Sequence, residues 1–131
     1  MLFRSLDADE VAIKIIAKAI NPVDWKMRDR PGIVQSWPAI AGSDAAGEIA
    51  ALGSAVTGFE VGERVFFLGR VGKIDYSTFQ QYCKMPAVLV SKTPSNISDE
   101  QAAGIQLATV ATVTAFYDVS GQRLAPPWEG T

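Results

Sequence analysis

Residues 21–26 read Asn-Pro-Val-Asp-Trp-Lys. An amide, a carboxylate, an indole and an ammonium therefore fall within one short stretch. The amide can donate and accept hydrogen bonds, the ionised carboxylate only accepts, and the ammonium only donates. Asn favours the position before a helix and Pro its first turn, so residues 21–29 are expected to form one or two helical turns. Arg30-Pro31-Gly32 then closes them as a loop. Asn21 is thus open to two readings, a helix cap or a site residue. Asp44 is read as the support of a turn, the partner of an arginine, or a catalytic group.

The missing residue types restrict the chemistry further. The 131 residues contain no histidine and one cysteine, Cys83. Ser-His-Asp and Cys-His nucleophile systems cannot be built within the chain, nor can an internal disulfide. A zinc centre loses its usual Cys and His ligands. Cys83 lies in a strand pattern and is expected to be a buried small hydrophobe. Twelve basic against fourteen acidic residues give a net charge of -2, which carries no electrostatic footprint for nucleic acid or an anionic membrane. The uncharged run at 101–117 is too short and too polar to span a bilayer as a helix. No signal-peptide pattern opens the chain. A cytoplasmic location is the expectation.

The elements that would position these groups follow from periodicity. Val11, Ile13, Ile15, Ala17 and Ala19 alternate with Ala12, Lys14, Ile16, Lys18 and Ile20, which is the period-2 signature of a strand. Between residues 37 and 67, Gly42, Gly47, Gly53, Gly58 and Gly62 punctuate the short apolar pieces 48–52 and 64–68. That rhythm suggests a small, strongly bent barrel, with glycines at bulges or close backbone approaches. Residues 78–85 and 87–91 are two more strand candidates, separated by Pro86. Ser98-Asp99-Glu100-Gln101 has the form of a capping box and is expected to start a helix running to about residue 117. Its β-branched Thr109, Val110, Thr112, Val113 and Thr114 lower its intrinsic propensity, so packing is expected to hold it. Trp25, Trp37 and Trp128 are expected to pack, with Trp37 also available to a ligand. The fold class expected is α+β, mainly β, as one domain over residues 1–120 followed by a Pro/Gly-rich linker at 121–131.

Three stretches carry a family resemblance. Asn21-Pro22-Val23-Asp24-Trp25-Lys26 resembles the NPxD helix start of zinc-independent medium-chain dehydrogenases/reductases. Ala41-Gly42-Ser43-Asp44-Ala45-Ala46-Gly47-Glu48-Ile49, then Leu52-Gly53, then Phe59-Glu60-Val61-Gly62-Glu63-Arg64-Val65 follow the pattern GxDxAGxVxxxG…FxxGDxV. Thr78-Phe79-Gln80-Gln81-Tyr82 and Pro94-Ser95-Asn96-Ile97-Ser98 are similar to the strand and helix entry that precede the cofactor domain. Together they resemble the N-terminal, GroES-like catalytic domain of that family, in the branch of quinone oxidoreductases and fungal trans-acting enoyl reductases. Zinc-dependent relatives carry a Cys after the first long strand and a His-Glu pair in the second motif. Here those places hold residues 21–25 and Ser43-Asp44.

The resemblance implies an NAD(P)H-dependent reductase of activated alkenes or quinones that works without zinc. By the same carry-over, Asn21, Asp24 and Lys26 would be catalytic, and Lys26 and Thr112 would contact the cofactor, NADP or NAD. Trp25, Trp37 and Asp44 would line the substrate cleft. Relatives of the quinone type often have Tyr where Lys26 stands, so lysine favours the enoyl-reductase type. No GxGxxG strand-turn-helix occurs in the chain, and the family's start looks clipped. The domain that holds most of the cofactor is therefore expected to be missing, or supplied by a partner chain, and this chain alone to turn over little. The alternative is a non-catalytic GroES-like binding module. An exposed apolar face on the helix at 101–117 would serve either domain docking or self-association into a homo-oligomer.

Overall fold

The computed structural model describes residues 5–30, 32, 34 and 37–129. Strand β1 (Glu10–Ala19) leads into helix α1 (Pro22–Asp29), then β2 (Asp44–Leu52), β3 (Arg64–Leu68), β4 (Tyr82–Pro86), β5 (Val90–Lys92), α2 (Asp99–Ala103) and α3 (Gln106–Tyr117). The strands form one sheet in the order β4-β1-β2-β3-β5, and every pairing is antiparallel. The sheet bends but does not close among the described residues, so the α+β class holds while the expected barrel is an open sheet. β4 and β5 are its edges.

β1 follows its alternation only in its second half. Glu10, Val11, Ala12 and Ile13 are all buried, because β2 and β4 flank them and α2 packs on the sheet. The register between β1 and β2 then slips between Ile15 and Ala17. Ile16 is the extra residue of this bulge and stands 46% exposed. Opposite it, a Cβ on Gly47 would lie 2.1 Å from the Lys14 carbonyl oxygen, so this glycine is required by a close backbone approach. Gly42 adopts φ +98°, a conformation that costs a glycine little.

The core joins Val11, Ile13, Ala45, Ile49, Val65, Phe67, Cys83, Met85 and Val90. Cys83 is fully buried there, and burial pushes its thiol up to about 12. Ala46, Ala102 and Ala103 form a smaller cluster that seats α2 on the sheet. The Arg64 guanidinium fixes that seat, pairing with Asp99 at 2.9 Å and donating to the Ile97 carbonyl at 3.0 Å.

Several expectations change. The strand expected at 78–85 begins only at Tyr82. Residues 87–89 form a 3-10 turn rather than strand, and β5 occupies Val90–Lys92. The Ser98 capping box is present, with Gln101 N–H donating to Ser98 Oγ at 3.2 Å and Ser98 N–H donating to Gln101 Oε1 at 3.0 Å. The helix it starts ends after Ala103, and α3 is a separate helix. None of α3 is fully buried, so the described residues pack against it only in part. Its Thr109 and Thr112 hydroxyls donate to the carbonyls four residues back, both at 2.8 Å. The tryptophans are not packing residues in the sense expected: Trp25 is 51% exposed, and Trp37 and Trp128 are each 65% exposed. Residues 121–129 hold no helix or strand and turn back along α3. There Gln122 and Leu124 donate to the Ala115 and Phe116 carbonyls, and Trp128 meets Tyr117 edge-on at 5.2 Å. Pro31, Gly130 and Thr131, named in the loop and linker expectations, lie outside the described residues.

Candidate functional site

The site is built where the end of β1, the start of α1 and the start of β2 meet. β1 ends at Ala19, and Pro22 begins α1, leaving Asn21 extended between them at φ -121°, ψ 157°. The helix is capped from within. Asp24 Oδ2 accepts the Asn21 main-chain N–H at 2.7 Å, and Asp24 N–H donates back to the Asn21 carbonyl at 2.9 Å. The Asn21 side chain also reaches beyond the helix. Its Nδ2 donates to Asp44 Oδ2 at 3.1 Å and to Ser43 Oγ at 3.3 Å.

Asp44 is 1% exposed, lies at the start of β2 and pairs with no arginine among the described residues. Its Oδ1 accepts the Leu107 N–H at 3.0 Å, in the first turn of α3. A carboxylate there faces the positive end of the helix. Burial pushes the Asp44 carboxyl above its ordinary value. The Asn21 and Leu107 hydrogen bonds oppose that rise, and the negative charge of Asp24 adds to it.

Asp24, Trp25 and Trp37 come together in a cavity of about 280 Å³ that Met27, Arg28, Ala39 and Ala41 also line. Asp24 Oδ1 is buried without a hydrogen-bond partner. A buried unpaired carboxylate oxygen is costly and invites a donor. Lys26 is half-buried, with its ammonium 5.7 Å from the centre of the Trp25 ring. Thr112 is exposed on α3, its hydroxyl donated to Ala108, and it makes none of the contacts that join the other residues. Sequence reasoning missed Ser43, Met27 and the Leu107 N–H. Met27 follows Asp24 at helical spacing and was legible in principle, whereas a main-chain donor leaves no mark in residue type.

A second polar cluster, also missed, lies at the far end of β1. Glu10 accepts from the Tyr76 hydroxyl at 2.5 Å and the Asp7 N–H at 3.0 Å, and pairs with Lys84 at 3.1 Å.

An open antiparallel sheet carrying an Asn-Pro helix start beside a buried carboxylate defines a GroES-like α+β domain of the medium-chain dehydrogenase/reductase class. The family profile described as alcohol dehydrogenase GroES-like domain matches residues 7–95, and the chain belongs to that family. It is 38% identical over 113 residues to the trans-enoyl reductase himH of Aspergillus japonicus, a match covering 82% of this chain and 32% of that protein. Among solved structures, an alcohol dehydrogenase superfamily protein from Novosphingobium aromaticivorans superposes with a TM-score of 0.80 at 30% identity, covering 95% of this chain and 38% of that one. The Escherichia coli quinone oxidoreductase complexed with NADPH gives 0.74 at 26% identity, covering 93% and 36%. The chain thus spans about a third of the length of the relatives it matches.

Metal and cofactor groups can be tested against the residues present. The chain has no histidine, its one thiol is sealed in the core, and no cluster of three His, Cys, Asp or Glu occurs among the described residues. These residues do not fit a zinc centre. The polar groups they offer to a dinucleotide beside the cavity are the half-buried Lys26 and the unpartnered Asp24 Oδ1. Among the described residues, no helix is long and apolar enough to cross a membrane.

Proposed function

We propose that this chain is the substrate-side domain of an NAD(P)H-dependent, zinc-independent reductase of activated alkenes (enones or enoyl thioesters) or quinones. In this reading most of the cofactor is held by polypeptide beyond residue 120, reached through a linker at 121–131. The observation that carries the reading is the donor set around Asn21. It offers hydrogen bonds and a cation, with no histidine and, among the described residues, no cluster of three metal-binding side chains, in a chain similar to a named trans-enoyl reductase. A bound reduced nicotinamide supplies hydride to a conjugated carbon, and the substrate's own carbonyl takes up the charge, so no metal is needed.

The protein's part is orientation and exclusion of water. Asn21 shapes the cleft, and Lys26 offers a donor to a cofactor hydroxyl or a substrate carbonyl. Trp25 and Trp37 wall the cavity, and Asp24 Oδ1 takes a hydrogen bond from the ligand. Val110, Val113 and Phe116, exposed at 43%, 39% and 40% on α3, form an apolar stripe that the cofactor-binding portion covers.

The intact mass of the native product comes first, followed by NADPH oxidation with an enone, an enoyl thioester and a quinone. The expected result is a product about three times the length of this chain, with enone turnover that a chelator leaves unchanged. In it, Asn21→Ala should lower turnover by about a hundredfold, the scale of lost orientation. Chelator-sensitive turnover, or a native product no larger than this chain with no partner, would overturn the proposal.

A further inference from the structure

The two oxygens of Asp44 are committed to two different elements. Oδ2 accepts from the Asn21 side chain at 3.1 Å, and Oδ1 accepts from the Leu107 main chain at 3.0 Å. Asn21 precedes α1, whereas Leu107 lies in the first turn of α3, the helix with no buried residue of its own. α3 also touches β3, and the Gln106 side chain adds a hydrogen bond to Ser91 at 3.3 Å. An ionised carboxylate only accepts, so the Asn21 amide must turn Nδ2 toward it, and Oδ1 of Asn21 is left on the side away from Asp44. The orientation of the amide and the seat of α3 therefore share one origin.

We propose that Asp44 is a positioning residue whose carboxylate sets the orientation of the Asn21 amide and anchors α3 to it, so that the start of α1 and the start of α3 move as one unit. Asp44 does not touch the ligand in this role. Its relevance to turnover rests on the reading of Asn21 as a site residue, but the unit itself does not.

The test uses this chain without any ligand, by NMR. In the unmodified protein the Asn21 side-chain amide and the Leu107 main-chain amide should shift with one common midpoint as a single carboxyl titrates, above the ordinary 3.8 of an aspartate. Asp24 on α1 is the charged neighbour that acts on it, and Asp24→Asn should lower that midpoint while keeping it common. A carboxylate that merely capped α3 would move Leu107 and leave the Asn21 side chain still.

Asp44→Asn keeps the shape but puts a donor against one of two donors. Exchange of the Leu107 amide should rise about tenfold or more, the scale of a lost charged hydrogen bond. The Asn21 side-chain signals should move with it while core amides at Ile13 and Phe67 stay protected. Ser43→Ala, which removes the other acceptor of Asn21, should leave the amide in place. Separate midpoints, or an Asn21 amide that follows Ser43→Ala and ignores Asp44→Asn, would overturn the proposal. Should Asp44→Asn fail to fold, the titration of the unmodified chain decides alone. A common midpoint combined with an inert Asn21→Ala in turnover would leave the unit standing and remove the catalytic reading of Asn21.

Discussion

The Asn21 side chain donates to Asp44 Oδ2 at 3.1 Å, across 23 positions of sequence. Asn21 is thus both the N-cap residue of α1 and a partner of β2. The helix start needs a cap, and Asp24 supplies one by accepting the Asn21 N–H. The Asn21 amide nitrogen in addition makes a tertiary contact, at the junction of β1, α1 and β2. An asparagine serving only as a cap would spend its side chain on the first turn.

Gly47→Ala tests whether the sheet's bend depends on a close approach. The added carbon would meet the Lys14 carbonyl oxygen at 2.1 Å, and main chain on both sides leaves nothing flexible to yield. The variant should lose about 1–3 kcal/mol in urea unfolding, the usual cost of overpacking. An unchanged midpoint would mean that β1 and β2 slide past one another easily.

Acid should act on the cluster at Glu10. Burial alone would raise its carboxyl, but hydrogen bonds from Tyr76, the Asp7 N–H and Lys84, with the charge of Lys84, hold it below the ordinary 4.5. A carboxyl with a depressed folded value contributes stability that is complete above 4.5 and is lost as pH falls through the folded value. The gap in unfolding midpoint between the native chain and Glu10→Gln should therefore narrow on acidification below about 4.5. At neutral pH, Lys84→Met leaves a buried carboxylate short of its cation and should cost on the order of 3 kcal/mol. A gap that widens in acid would refute the assignment.

The apolar stripe on α3 should matter for association and not for folding. Val113 is 39% exposed, so Val113→Glu should change the stability of this chain by no more than about 0.5 kcal/mol. It should abolish binding to a separately expressed cofactor-binding portion, measured by calorimetry. Unaltered binding would move the docking surface off α3.

Cys83 should be inert while the domain is folded. Its thiol is fully buried and raised to about 12 by that burial, with Lys18 opposing the rise weakly. A thiol-specific reagent should label it only at the rate of global unfolding. Rapid stoichiometric labelling of the native protein would show that the core opens locally at β4.

Much of this was legible along the chain because it depends on neighbours in sequence. The alternation of β1, the Asn-Pro entry of α1, the Ser98 capping box and the stop at Pro86 all act over a few residues. The absence of histidine requires no structure at all. The strongly β-branched run at 109–114 misled, since propensity was expected to require packing that the described residues supply only in part. What only the tertiary structure decided are the pairings across long separations: Asp44 with Leu107 over 63 positions and Tyr76 with Glu10 over 66. Those distances are set by strand order and by a bulge at Ile16, and a one-residue slip in either would turn the same side chains to the opposite face. The residues named the available chemistry, and the sheet's register determined which of them meet.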